Sequence, residues 1–178
     1  WKRGVATTNS GPNRVTEPIN PGMTPQSAGT LHAAMIAPFV PYTLRGAIWY
    51  QGESNAGEPD EYRDLMPLLI ESWREDFGDH LAFGIVQLAA YKAVSQNPDE
   101  GDWAYLRDAQ LEAARTVENT GIAITTDVGN ATDIHPKNKK AVGDRLAGWA
   151  LHDVYHRENA IPSSPIYRSA QTEGGMMM

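Results

Sequence analysis

Apolar and polar positions change their spacing several times along the chain, and each spacing predicts an element. Short runs in which apolar residues predominate indicate buried strands at 45–50, 81–88 and 121–126. After each run, apolar residues recur every three or four positions, which predicts helices over 62–77, 103–117 and about 137–158. A shorter helical pattern begins at Ser27 and ends at Pro38 and Pro41. The chain therefore alternates strands with helices.

Helices of this length between apolar strands predict a parallel sheet that is covered on both faces, a three-layer α/β/α fold. Ligands of such sheets lie at the carboxyl ends of the strands. We therefore expect the chemistry of this protein to follow Tyr50, Leu88 and Thr126.

The chain divides into three predicted parts. Residues 1–26, rich in Gly, Pro, Asn and Thr, are expected to form an irregular N-terminal segment. Residues 27–158 carry the strand and helix patterns and form the α/β domain, and residues 159–178 form a C-terminal tail. No signal-peptide pattern is visible, and the sequence begins at Trp1 without an initiator Met, so we expect that a native N-terminal segment is missing from it.

Composition narrows the range of partners. Among 178 residues there are 15 Lys and Arg against 22 Asp and Glu, a formal net charge of −7, and no basic cluster. Since nucleic-acid binding needs a concentrated basic face, no nucleic-acid partner is expected. No apolar run approaches the roughly 20 residues of a membrane span. A neutral small molecule or sugar is the expected partner. The absence of cysteine excludes cysteine nucleophiles.

A dense polar block follows the first predicted strand. It consists of Gln51, Gly52, Glu53, Ser54 and Asn55. Polar side chains that leave a buried strand are unfavourable unless they are hydrogen-bonded or used. Two interpretations stay open: a functional site, or a turn whose Asn and Gly are present for their backbone geometry.

The third predicted strand is followed by Asp133 and His135. Histidine titrates near neutral pH, and an Asp two residues away can orient its ring and stabilise the imidazolium. The alternative is a loop histidine that happens to precede Pro136 and a helix. The functional interpretation is favoured because both polar clusters follow strands at the same predicted edge of the sheet.

A different chemistry is suggested by His152 and His156, which lie four residues apart on a predicted helix, as in zinc metalloproteases. Asp153 occupies a position between them, where such enzymes use Glu, and no third ligand follows. Solvated surface histidines are the favoured interpretation, and neither a metal nor another cofactor is expected.

Five short runs resemble, in order, the motifs of a known family: GAIWYQGESN at 46–55, VQL at 86–88, LRDAQ at 106–110, DIHPKNK at 133–139 and VGDRL at 142–146. They are similar to the sialate O-acetylesterases and related carbohydrate acetylesterases of the SGNH-hydrolase superfamily, over about residues 25–155. The resemblance implies a flavodoxin-like α/β/α hydrolase that removes acetyl groups from sugars by a Ser-His-Asp mechanism without metal. It also suggests a secreted or periplasmic location.

The resemblance implies roles for individual residues. His135 is the general base, Asp133 is its orienting carboxylate, and Gln51 helps to form the oxyanion hole, while the next two residues support that loop. Many superfamily members separate the Asp and His by three positions, and here the separation is two. Asp127 is therefore kept as an alternative orienting acid.

The nucleophile is where the sequence departs from the family, whose serine lies in a Gly-Gln-Ser-Asn block on an earlier, central strand. No such block is present. Either the sequence is a fragment that lacks this first strand, or another serine serves. Ser54 is the candidate nucleophile, since its surroundings approximate a nucleophile elbow, although Ala56 stands where that motif has Gly. Upstream of the matched motifs, only Ser10 lies in remotely similar surroundings, and it follows no predicted strand. A carbohydrate-binding remnant without a nucleophile is the alternative function.

Overall fold

The structure is a computed structural model, and it describes most of the chain. The described residues are 24, 27–40, 42–94, 96–97, 101–162, 165–167, 169, 171–173 and 176–177. Ser10 and nearly all of the predicted segment 1–26 lie outside them.

A parallel sheet of three strands forms the centre of the described structure. The strands are β1 (Gly46–Trp49), β2 (Ala82–Val86) and β3 (Thr120–Ala123), in the order β1-β2-β3. Ile48 pairs with Gly84, and Ile85 pairs with Ile122. The three predicted strands are confirmed, but β1 is not buried as expected, since its residues alternate between exposed and half-buried. Because all three run in the same direction, their carboxyl ends lie at one edge of the sheet, as predicted.

Three α-helices accompany the sheet: α1 (Pro59–Phe77), α2 (Asp102–Thr116) and α3 (Lys139–Trp149). The first helical pattern forms a π-helical turn and then a 3-10 turn, and α3 continues into another π-helical turn. Two short strands, β4 (Thr172–Glu173) and β5 (Met176–Met177), pair antiparallel. None of the helices in the described ranges has both the length and the hydropathy to cross a membrane.

Alternate side chains of β2 enter different layers. Phe83 and Ile85 are completely buried in a core that α1 and α2 complete with residues that include Tyr62, Met66, Ile70, Leu106 and Ala109. Ala82 and Val86 point to the opposite face, where α3 and the turn after it supply Val142, Leu146, Trp149 and Val154. The predicted three-layer α/β/α fold is thereby confirmed.

Close packing of α3 on the sheet explains two strand glycines. A Cβ atom on Gly84 would lie 2.6 Å from the Trp149 ring, and one on Gly121 would lie 2.0 Å from its Nε1. Residues without a side chain are therefore required beneath this indole. Ile48, next to Gly84 on the same face, is 70% exposed, so this face of β1 is left largely uncovered.

Arg74 of α1 fastens the amino-terminal edge of the sheet. Its guanidinium donates to the carbonyl oxygens of Leu81 (3.2 Å), Glu118 (2.6 Å) and Asn119 (3.2 Å). These carbonyls belong to the turns that lead into β2 and β3. The helix layer is thus tied to the edge opposite the one that carries the polar loops.

Candidate active site

The polar block after β1 folds into a tight turn against α2. Gly52 has a φ of 142°, a conformation that L side chains rarely adopt, and a 3-10 turn then spans Glu53–Asn55. A Cβ atom on Gly52 would lie 2.9 Å from Leu106 Cδ2 and 3.1 Å from Gln110 Nε2. Glycine is therefore required at position 52 both by the backbone and by the contact with α2.

Gln51 is held through its side chain and its main chain. Its Nε2 donates to Asn55 Oδ1 at 2.7 Å. Its carbonyl oxygen accepts hydrogen bonds from Gln110 Nε2 at 3.0 Å and from the Tyr62 hydroxyl at 3.3 Å. The residue expected in the oxyanion hole is thus the best-anchored member of its loop.

Gln110 joins two strand ends. Its side chain is completely buried, and its Oε1 accepts from Leu88 N at 2.8 Å while Nε2 donates to the Gln51 carbonyl. Sequence reasoning assigned Gln110 no role. A signal was present nonetheless, since Gln110 is an amide within the apolar series of α2.

Glu53 brings a negative charge close to two tyrosines. Burial raises the pKa of the Tyr62 phenol, and the charge of Glu53 raises it further. The pKa of Tyr50 is raised by the same two causes, burial first. Tyr62 therefore stays protonated at neutral pH and can donate to Gln51. The Glu53 carboxylate accepts no hydrogen bond from the part of the chain that is described.

Ser54, the candidate nucleophile, lies in the same 3-10 turn and is exposed. Its hydroxyl makes no hydrogen bond to any residue within the described ranges. The side chain is therefore accessible, but no base among the described residues is hydrogen-bonded to it.

The loop after β3 packs on the residues after β2. A Cβ atom on Gly129 would lie 2.0 Å from the Ala90 oxygen, and Asn130 N donates to that oxygen at 3.0 Å. Further along, Ile134 packs against the main core and Pro136 is buried. The loop is thus anchored on both sides of His135.

Asp133 contacts His135 chiefly through the main chain. Its Oδ1 accepts from His135 N at 2.9 Å and lies 3.9 Å from the ring Nδ1. The imidazole is 87% exposed and the Asp133 side chain 39% exposed. Asp133 therefore shapes the loop, and its charge lies near the ring without a hydrogen bond to it.

Asp127, the alternative orienting acid, is engaged elsewhere. Its two carboxylate oxygens accept from Nη1 and Nη2 of Arg145, each at 2.6 Å. Hydrogen bonding to Arg145 lowers the pKa of Asp127. This carboxylate pairs with an arginine of α3 and not with His135.

The two polar loops share an edge of the sheet but do not touch through hydrogen bonds. β2 separates β1 from β3, and neighbouring strands are about 4.8 Å apart, so the two loops leave the sheet about 10 Å from each other. No hydrogen bond joins His135 to Gln51 or Ser54. Lys139, which follows the His135 loop, places its Nζ 4.4 Å from the centre of the Tyr50 ring.

The expectation that His152 and His156 share a helix is wrong, because His152 lies in the π-helical turn after α3 and His156 follows the end of that turn. His152 Nδ1 lies 2.5 Å from Asp153 Oδ1. Over the described ranges, no three His, Asp or Glu side chains converge as metal ligands would.

Comparison with known proteins identifies the family. The family model described as "Carbohydrate esterase, sialic acid-specific acetylesterase" matches residues 27–152. The chain is 30% identical to the sialate O-acetylesterases of Rattus norvegicus over 174 residues and of Homo sapiens over 184 residues. These alignments cover 89% and 93% of this chain but 32% and 35% of the relatives, so the chain spans about a third of their length.

A solved structure is also similar, the crystal structure of a carbohydrate acetylesterase from Xanthomonas citri. It is 41% identical in sequence and superposes with a TM-score of 0.74, covering 83% of this chain and 34% of the other. The resemblance stated from the motifs is confirmed, and with it the SGNH-hydrolase type of fold. Since the matched residues 27–152 include the three parallel strands, the three α-helices and both polar loops, the chain belongs to the sialic acid-specific acetylesterase family of carbohydrate esterases.

Proposed function

We propose that this chain carries the general base and the oxyanion-stabilising loop of a carbohydrate O-acetylesterase. The substrate class is an acetylated sugar, of the sialate or xylan type. The observation that supports the proposal most directly is the position of the polar block 51–55 and of His135 at one carboxyl edge of the sheet, in a chain of this family. Strand ends of this kind are where ligands of α/β sheets bind.

In the proposed mechanism His135 accepts the proton of a serine hydroxyl while the serine oxygen attacks the acetyl carbonyl carbon. The negative charge of Asp133 stabilises the imidazolium that forms. The oxyanion is stabilised by donors of the Gln51 loop, which are held in place before the reaction begins. His135 then gives the proton to the departing sugar oxygen, and water, activated in the same way, releases acetate from the serine.

Ser54 is the nucleophile that we propose from this chain. Its support is its exposure, its unbonded hydroxyl and its position three residues after Gln51. A second candidate function, carbohydrate binding without turnover, is favoured by the lack of any hydrogen bond between Ser54 and His135. Attack by Ser54 requires that the two loops approach each other when substrate binds.

The test of the base is acetate release from an acetylated sugar, together with hydrolysis of p-nitrophenyl acetate. His135→Ala is expected to lower kcat by about 10³-fold or more, because no other group then accepts the serine proton. His152→Ala is the matched control, since this histidine is paired with Asp153 on the last helical segment, and we expect it to keep the wild-type rate. Full activity in His135→Ala would refute the proposal.

Ser54→Ala separates the two candidate functions. A loss as large as that of His135→Ala identifies Ser54 as the nucleophile, and an unchanged rate removes it from the mechanism. Sugar binding by calorimetry without acetate release, and without a covalent adduct from a serine-reactive phosphonate in mass spectrometry, would instead favour the binding protein.

A further inference from the structure

We propose that Gln110 is a positioning residue of this site. Its buried amide orients the peptide between Gln51 and Gly52 so that the Gly52 N–H is left free to donate to the oxyanion. The inference rests on the proposed function and extends it to a residue that does not itself touch the substrate.

The direction of the Gly52 N–H follows from that of the Gln51 carbonyl. The carbonyl oxygen points at α1 and α2, because it accepts from Tyr62 on the first and from Gln110 on the second. The described residues contain no cis peptide bond. In a trans peptide the C=O and N–H groups point in opposite directions, so the Gly52 N–H points away from both helices.

The same N–H donates to no residue within the described ranges, although Gly52 is buried. Buried backbone N–H groups are almost always paired. An unpaired N–H beside Gln51, in a loop of an acetylesterase family, is suited to a developing oxyanion, which backbone N–H groups stabilise when they are fixed in advance.

The Gln110 amide can serve this purpose in only one orientation. Leu88 N is a donor and needs the amide oxygen, while the Gln51 carbonyl is an acceptor and needs the amide nitrogen. An amide in the reverse orientation would lose both hydrogen bonds. The hydrogen bond from Leu88 N, at the end of β2, therefore fixes the amide in the orientation that holds the 51–52 peptide.

The decisive variant is Gln110→Glu, which keeps the shape and the acceptor for Leu88 but has no donor for Gln51 while ionised. At pH 8 we expect kcat to fall about 10- to 100-fold with little change in KM, because the lost alignment matters most in the transition state. As the pH falls, the introduced carboxyl, whose pKa is raised by burial, gains a proton and can donate to Gln51 again. The ratio of variant to wild-type kcat should then rise.

Gln87→Glu is the matched control. Gln87, the residue after β2, is also buried, and its Nε2 donates to the Arg107 carbonyl of α2 at 3.1 Å; it makes no hydrogen bond to the 51–52 peptide. We expect the ratio of the Gln87→Glu kcat to the wild-type kcat to stay close to constant with pH. Wild-type kinetics in Gln110→Glu at all pH values, or the same loss and pH dependence in Gln87→Glu, overturns the inference. If Gln110→Glu does not fold, Gln110→Met takes its place, and its kcat should be low at every pH. A wild-type kcat in Gln110→Met also overturns the inference.

If the wild-type chain hydrolyses neither the acetylated sugar nor p-nitrophenyl acetate, the proposed function is contradicted. The inference about Gln110 is then tested by NMR on 15N-labelled protein, which reports the orientation of the 51–52 peptide. Gln110→Leu should shift the Gly52 amide resonance and expose the Leu88 amide to hydrogen exchange, while Gln87→Leu should leave Gly52 unmoved. An unmoved Gly52 resonance in Gln110→Leu overturns the inference about Gln110.

Discussion

Asp133 holds the main chain of its loop and has a proposed role as the orienting acid, and one substitution can separate the two. Its Oδ1 holds the main chain of His135, and its charge lies 3.9 Å from the ring. A loop contact requires only an acceptor oxygen, whereas stabilisation of an imidazolium requires the negative charge.

Asp133→Asn keeps the acceptor and removes the charge, so we expect kcat for acetyl esters to fall about 10²- to 10⁴-fold while the melting temperature stays the same. Asp133→Ala also removes the loop hydrogen bond and should lose about 1 kcal/mol of stability in addition. Steady-state kinetics and thermal unfolding measure the two effects. Asp127→Asn is the comparison, and a larger loss of kcat there than in Asp133→Asn would reassign the orienting acid.

Residue types at the site were predictable from the sequence, but their partners were not. The block 51–55 stands out as a polar run directly after β1, and Asp133 with His135 stands out in the loop between β3 and α3. Gln110 and Gln51 are 59 residues apart, and Arg145 and Asp127 are 18 apart. Periodicity places Gln110 on the core face of a helix, yet nothing in a single sequence says which distant groups its amide satisfies.

At the scale of elements, the strands and helices follow the hydrophobic spacing closely, because each helix buries one apolar stripe and β2 buries both of its faces. The spacing does not reveal the π-helical turn Ala150–Val154 that extends α3. Five residues are too few for an apolar pattern to distinguish the hydrogen-bond spacing of a π-helix from that of an α-helix. The close approach of Trp149 to Gly84 and Gly121 was not predictable either, because a glycine in a strand can have several causes.

Gly121→Ala tests that approach directly. The new methyl group would lie 2.0 Å from Trp149 Nε1 in the present packing, so α3 has to shift, and we expect the free energy of unfolding to fall by about 1–3 kcal/mol. Gly143→Ala is the control, because among the described residues no atom outside its own stretch of α3 lies within 4 Å of its Cβ position, and it should stabilise the protein by about 0.5–1 kcal/mol. Urea unfolding of both variants gives the two values.

Trp149→Leu tests whether the indole causes the loss of stability in Gly121→Ala. In the Gly121→Ala background this change should cost less stability than it does in the wild type, because it also relieves the clash. Equal costs in the two backgrounds would show that the indole does not set the requirement for glycine.

At the scale of the whole molecule, the two sides of β2 differ in the part of the chain that the structure describes. On the α3 face, β2 and β3 lie beneath the helix, while Ile48 of β1 is 70% exposed. Among the described strands, β1 pairs only with β2. A strand with a free edge and an exposed apolar side chain favours association between molecules.

Ile48→Lys should therefore reduce concentration-dependent association, with little effect on the melting temperature, because the side chain is already in contact with water. Val94→Lys is the matched control, since Val94 is 97% exposed but lies in no strand. Sedimentation velocity over a range of concentrations compares the variants with the wild type. Equal reductions in both variants would show that added charge, and not the β1 edge, is responsible.

The position of Arg74 has a consequence for protein engineering. Because this arginine fastens α1 to the turns before β2 and β3, its hydrogen bonds lie at the far end of the sheet from residues 130–132. A library that randomises 130–132, and retains Ile134 and Pro136 as anchors, can change the surface beside His135 without altering those bonds. Directed evolution of the proposed esterase activity can begin at these three positions.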